Sequence, residues 1–193
     1  MRRVLVCVAI VIALIAGTAL TGCVPAVIAV GAGGTALVAT DRRTTGTQVD
    51  DEGIELKIAQ RANAQYGDRI HLNVTSYNGI VLLTGEVPDQ GVWASLGNLA
   101  KTTEKVRVVQ NELVVAPNTD MSARTNDTYI TSKVKTRMIE ANKFPPNAVK
   151  VVTERGVVYL MGIVTRPEGA AAGETAATTS DVVRVVKVFE YRA

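Results

Sequence analysis

The sequence predicts an α+β protein made of two tandem copies of one α-β-β-α-β unit, each a small mixed three-stranded sheet covered by two helices. Two observations carry this: the chain repeats itself, and within each copy the apolar spacing alternates between helical and strand periods. "GIVLLTGEV" at 79–87 returns as "GVVYLMGIV" at 156–164, so that at an offset of 77 Gly85 meets Gly162 and Val87 meets Val164. The register holds through "VRVV" at 106–109 against "VRVV" at 183–186. Upstream the offset is 76, pairing Asp51 with Asp127, Ile54 with Ile130, Lys57 with Lys133, Ile58 with Val134 and Arg61 with Arg137. One residue is therefore added before the strands of the second copy, around "FPPN" at 144–147. The expected segments are a leader at 1–22, a Gly/Ala-rich tether at 23–45, a first repeat at 46–117, a linker at 118–124 and a second repeat at 125–193.

Each repeat opens with a helical signal. In the second, Thr125, Asn126 or Asp127 can cap the start, Ile130, Val134, Met138 and Ala141 draw one apolar stripe, and Lys143 with Pro145 and Pro146 closes it. Ile54, Ile58 and Ala62 do the same in the first copy. β-Branched runs follow, "RIHLNV" then "GIVLLTGEV" and "AVKVVT" then "GVVYLMGIV", parted by "YNG" and "ERG", which read as tight hairpin turns. A second helix is expected over about 89–103 and 167–179, and a Val-rich closing strand over about 106–115 and 183–191. A hairpin followed by a crossover makes the last strand parallel to its neighbour. Two helices cover one face of so small a sheet, yet both phases of the strands are apolar, Val81 and Leu83 against Ile80 and Leu82. The second face is therefore expected to pack on the sister repeat, which also enlarges a limited core.

The leader has a basic start at Arg2 and Arg3 and an apolar run over Val4 to Ala16, as a secretory signal does. It ends in "LTGC" at 20–23, which resembles the bacterial lipobox; the resemblance implies that Cys23 becomes the first mature residue and carries acyl chains. Two or three such chains make a durable membrane anchor where one is marginal. Val24, rather than Asp, follows the cysteine, which favours the periplasmic face of an outer membrane. Cys7 leaves with the leader, so no thiol remains for a disulfide, a metal site or a nucleophile. Without Arg2 and Arg3 the 21 bases fall to 19 against 18 acids, a net charge of about +1 that does not match a nucleic-acid binder. "GAGG" at 31–34 lacks the strand and helix that a phosphate-binding loop needs.

With its "G-x-V-x-L-x-G-x-V"-like strand and the closing run "VRVVQNELVV" at 106–115, the α-β-β-α-β repeat resembles the BON domain. Lipobox, apolar Gly/Ala segment, "DRRTTGTQVDD" at 41–51, "NDTYITSKVK" at 126–135 and "VYLMGIVT" at 158–165 together resemble the dual BON-domain outer-membrane lipoproteins, a division and outer-membrane stress-associated lipid-binding family. The resemblance covers nearly the whole chain; "VVKVFEYRA" at 185–193 departs from the family's Asn-containing closing strand. It implies a lipid-anchored protein of the outer membrane that binds anionic phospholipid such as phosphatidylglycerol and supports membrane integrity.

The inventory for catalysis is poor. The single histidine, His71, lies in a strand between Ile70 and Leu72, and the acidic cluster Asp50, Asp51 and Glu52 lacks calcium-loop spacing and sits where helix starts attract acids. No catalytic residues, metal site or cofactor are expected. Lipid binding has a better candidate, because the two first helices have diverged. "DDEGIELKIAQRANAQ" carries four acids and two bases, whereas the second copy carries Lys133, Lys135, Arg137 and Lys143 against Asp127 and Glu140. Tyr129, Lys133, Thr136 and Lys143 fall away from the Ile130/Val134/Met138 stripe, with Arg137 at its border. The candidate lipid-binding set is Tyr129, Ile130, Lys133, Val134, Thr136, Arg137 and Lys143. An outward tyrosine beside bases suits a bilayer interface, the ring at headgroup depth and the ammonium groups near phosphates. The alternative is an adaptor that docks on outer-membrane assembly or division machinery through the first repeat or open sheet faces. Trp93 is expected to pack on the first core.

Overall fold

The computed structural model describes residues 41–193, which fall within one compact unit, Ala39–Ala193. The leader, Cys23 and the Gly/Ala-rich segment lie outside the described residues. The first repeat comprises α1 (Thr45–Tyr66), β1 (His71–Tyr77), β2 (Ile80–Val87), α2 (Gln90–Lys101), β3 (Val108–Asn111) and β4 (Val114–Val115). The second comprises α3 (Met121–Ala141), β5 (Lys150–Glu154), β6 (Val157–Val164), α4 (Arg166–Ala177) and β7 (Arg184–Tyr191). In each, the hairpin is antiparallel and the closing strand runs parallel to the central one, β2 or β6, so the sheets are small and mixed. The α+β repeat is thus the one the periodicities predict. The closing strand of the first repeat is split at Glu112 and Leu113: the Glu112 N–H still donates to the Leu83 carbonyl at 2.9 Å, and Leu113 turns into the core.

Strand alternation sorts the side chains. Val81, Leu83 and Val87 join Ile54, Ile58, Ala62 and Leu96 under the helices of the first repeat. Val158, Leu160 and Val164 join Ile130, Val134, Met138 and Ala172 in the second. The opposite phase, Tyr77, Leu82, Tyr159 and Met161 with Ile80, Val157 and Ile163 around them, forms a third core between the two sheets. The sheets therefore pack back to back, as the doubly apolar strands imply. Among the described residues no open sheet face remains for an adaptor, which corrects that part of the alternative. Trp93 packs on the first core as expected, and its indole N–H donates to the Leu113 carbonyl at 3.0 Å.

Both first helices begin earlier than their apolar stripes suggest. α1 is capped by Thr44 and α3 by Asp120, whose side chain accepts from the Ala123 N–H. Asp51 and Asp127 are consequently mid-helix and buried, not helix-starting residues. Their partners are the hairpin turns. Asn78 and Gly79 both have positive φ, as do Arg155 and Gly156, the backbone of a two-residue I′-type turn. Asp51 accepts the N–H groups of Asn78 (2.7 Å) and Gly79 (2.9 Å) and the Ser76 hydroxyl (2.6 Å). Asp127 accepts those of Arg155 and Gly156, each at 2.8 Å. Burial alone would raise the Asp51 carboxyl, but these donors and Arg43 outweigh it and hold it below its ordinary value.

The repeated glycine of β2 and β6 has a separate cause. A Cβ at Gly85 would lie 2.0 Å from the His71 carbonyl oxygen, and one at Gly162 would lie 2.2 Å from that of Ala148. Any side chain there would force the hairpin apart.

Residues 41–45, read from the sequence as the end of a tether, are fixed. Arg42 makes a bidentate pair with Glu168 of the second repeat (2.7 and 2.6 Å) and donates to the Ile163 carbonyl. Arg43 pairs with Asp51 of the first at 2.8 Å and stacks over the Tyr77 ring at 4.1 Å. Glu168 also accepts the Thr165 N–H in a capping box.

Replacing Asp127 by alanine leaves two turn N–H groups without their acceptor and should lower stability by about 2 kcal/mol or more. Asp51→Ala should cost more, because a serine hydroxyl and Arg43 lose a partner as well; urea denaturation of both variants checks the order. Glu168 is pulled from 4.5 to about 2, first by the Arg42 hydrogen bonds. A lowered carboxyl stabilises the fold above its unfolded value and loses that contribution as pH falls. The stability difference between wild type and Glu168→Gln should therefore be full above about pH 4.5 and vanish towards pH 2, measured by denaturation at several pH values.

Candidate functional site

The outer side of α3 is the first candidate. Its buried stripe is Asp127, Ile130, Val134 and Met138. At ~100° per residue the side opposite that stripe carries Met121, Thr125, Tyr129, Ser132, Thr136 and Ile139. Three of these are large apolar groups left in solvent: Met121 is 72%, Tyr129 60% and Ile139 58% exposed. Lys133 flanks the ridge on one side and Lys135 on the other.

The predicted residues divide when placed on this helix. Tyr129 and Thr136 face outward. Ile130 and Val134, both 0% exposed, are enclosed in the core of the second repeat; they fix the helix and cannot touch a ligand, which corrects their inclusion in the binding set. Lys133 lies over the Tyr129 ring, its ammonium 5.1 Å from the centroid, and pairs with Asp181 at 2.7 Å and with the Ser180 hydroxyl. Lys133 in turn holds the Asp181 carboxyl below its ordinary value. Arg137 donates to the Thr178 carbonyl, and Lys143 is 3.8 Å from Glu174. These exposed pairs are weak, so a phosphate can compete for the same cations.

Sequence reasoning missed Met121 and Ile139 on this surface, and counted Lys135 among the bases of the helix without placing it in the binding set. Ile139 is an exposed branched side chain one helical turn from Lys135, and Lys135 lines a junction cavity of about 320 Å³ with Arg43, Tyr77, Ile139 and Lys150. Ile139 falls outside the apolar stripe, which was the available signal.

A second constellation lies between the repeats. The hairpin register sets His71 directly opposite Glu86, and His71 Nδ1 is 2.9 Å from Glu86 Oε2 and 3.8 Å from Glu154 Oε1 of the second repeat. Burial would raise Glu86, but the Thr119 N–H, His71 and the Thr119 hydroxyl hold it low. Burial raises Glu154, against the hydrogen bond from Asn73. Reading His71 only against its chain neighbours Ile70 and Leu72 overlooked both carboxylates.

Comparison with known proteins decides the family. The BON domain model matches twice, over residues 50–117 and 126–193. The chain is a two-domain member of the BON family. BON domain 1 thus runs from within α1 to β4, and BON domain 2 from within α3 to β7. The chain is 44% identical over 174 residues to the outer membrane lipoprotein DolP of Haemophilus influenzae, covering 89% of this chain and 90% of that one. It is 35% identical to the 21 kDa hemolysin of Actinobacillus pleuropneumoniae, covering 78% and 79%, and 30% identical to the osmotically-inducible protein Y of Escherichia coli, covering 74% and 72%. Among the described residues no helix is long and apolar enough to cross a membrane.

Proposed function

We propose that the chain is a non-enzymatic lipoprotein of the outer membrane, anchored on the periplasmic face through Cys23, whose BON domain 2 binds anionic phospholipid such as phosphatidylglycerol and thereby supports membrane integrity. The outer side of α3 carries this reading: Met121, Tyr129 and Ile139 project into solvent from it, with Lys133 and Lys135 on its two flanks. Apolar tips reach headgroup depth while the ammonium groups meet phosphates. Each base near an anionic surface contributes about 1 kcal/mol, so the contact is weak by itself. An acyl anchor confines the domain to the bilayer, and a high local concentration makes a weak contact sufficient. The similarity to a DolP outer membrane lipoprotein supports the location.

A second reading, an adaptor for envelope proteins, is favoured by one feature of BON domain 1. Val49 and Leu56, 62% and 58% exposed, stand two turns apart on the outer face of α1.

The chain with Cys23 replaced by serine should bind vesicles containing phosphatidylglycerol and release them as salt rises. Lys135→Glu should weaken this about tenfold, since it removes one attraction and adds a repulsion; Tyr129→Ala should weaken it comparably. Val49→Glu and Leu56→Glu should leave it unchanged. Cosedimentation checks all four, and binding lost only in the α1 variants would move the contact to BON domain 1.

A further inference from the structure

We propose that His71, Glu86 and Glu154 form a binding site for a divalent transition-metal ion, zinc being the best fit, that joins the two BON domains. The three come from three strands: His71 from β1, Glu86 from β2 and Glu154 from β5. One ligand atom from each lies within 4.8 Å of the other two. Their side chains are 12%, 0% and 6% exposed, so the donors are held in place before any ion arrives. A tetrahedral ion with bonds of about 2.0–2.1 Å needs its ligand atoms about 3.3–3.4 Å apart. The separations of 2.9 and 3.8 Å from Nδ1 to the two carboxylates straddle that value, and small side-chain rotations close the difference.

The surroundings are those of an oriented ligand set. Glu86 Oε2 accepts the Thr119 N–H at 3.2 Å and its hydroxyl at 3.1 Å, and Arg155 approaches Oε1 at 3.4 Å. Asn73 Nδ2 donates to Glu154 Oε2 at 2.7 Å, leaving Oε1 directed towards the imidazole. Such outer hydrogen bonds fix ligand orientation and tune affinity. The cluster opens onto a cavity of about 440 Å³ lined by Asn73, Arg124, Asp127 and Thr131, which gives the ion an entry path and a water for its fourth position. The mixed nitrogen and oxygen donors select zinc, cobalt or nickel over magnesium or calcium.

The test is a zinc titration by calorimetry of the untagged chain with Cys7 and Cys23 replaced by serine, which removes its only two thiols. We expect one zinc per chain, a rise in unfolding temperature with zinc, and a shift of the single imidazole's NMR signals. His71→Gln and Glu154→Gln keep the side chains polar and close in size; each should weaken binding at least tenfold and abolish the thermal shift while the circular dichroism spectrum stays native. Absence of saturable binding below about 100 μM, or equal binding by wild type and both variants, would overturn the proposal.

Discussion

The hydrogen bonds from the first helix to the hairpin turn organise each half of the molecule. In each two-residue turn both N–H groups face the first helix instead of a partner strand. Asp51 and Asp127 supply the acceptors from inside their helices, and so set the helix across the hairpin at one height. With that height fixed, Ile54 and Ile58, or Ile130 and Val134, meet the inward phase of the central strand. The outward phase is then free to build the apolar layer shared by the two sheets. Gly85 and Gly162 allow the central strand of each repeat to lie close against the backbone at His71 and at Ala148.

Back-to-back sheets also determine what each surface can do. The apolar layer is rimmed by cross-repeat pairs: Lys150 with Glu55 at 3.1 Å, Arg107 with Glu190 at 3.0 Å, and Asn73 with Glu154 at 2.7 Å. Since helices cover the remaining sheet faces, the outward surfaces left for recognition are largely helical. The two first helices keep an inward Asp and apolar stripe and share two bases, Lys57 with Lys133 and Arg61 with Arg137, but α1 carries Glu52 and Glu55 where α3 has Thr128 and Thr131, and only α3 adds Tyr129 and Lys135 in place of Gly53 and Ala59. Duplication has therefore preserved packing and diverged in exposed chemistry.

Much of this was legible in the sequence because it follows from short-range periodicity. The repeat, the two phases of β2 and β6 and the parallel closing strand all follow from spacing alone. The helix starts did not, since "MSARTN" at 121–126 has no apolar stripe and only the geometry of Asp120 marks the cap. Ile130 and Val134 were readable as core and were nonetheless grouped with the binding residues; inclusion on the same helix is not inclusion on the same face. The His71–Glu86 pair could have been found by counting outward from the turn at Asn78 and Gly79, which sets the two opposite each other. Glu154 could not, because it arrives from the other repeat through contacts with no sequence period. The Lys133–Asp181 pair was hidden for the same reason, and it lowers the free charge of the ridge.

The two arginines ahead of α1 have a mechanical corollary. Arg42 grips BON domain 2 at Glu168, while its neighbour Arg43 grips BON domain 1 at Asp51. A pull arriving from the amino-terminal side meets this cross-brace before it reaches the first turn of α1. The load divides between the halves, whereas a segment attached to one half alone would load only that one.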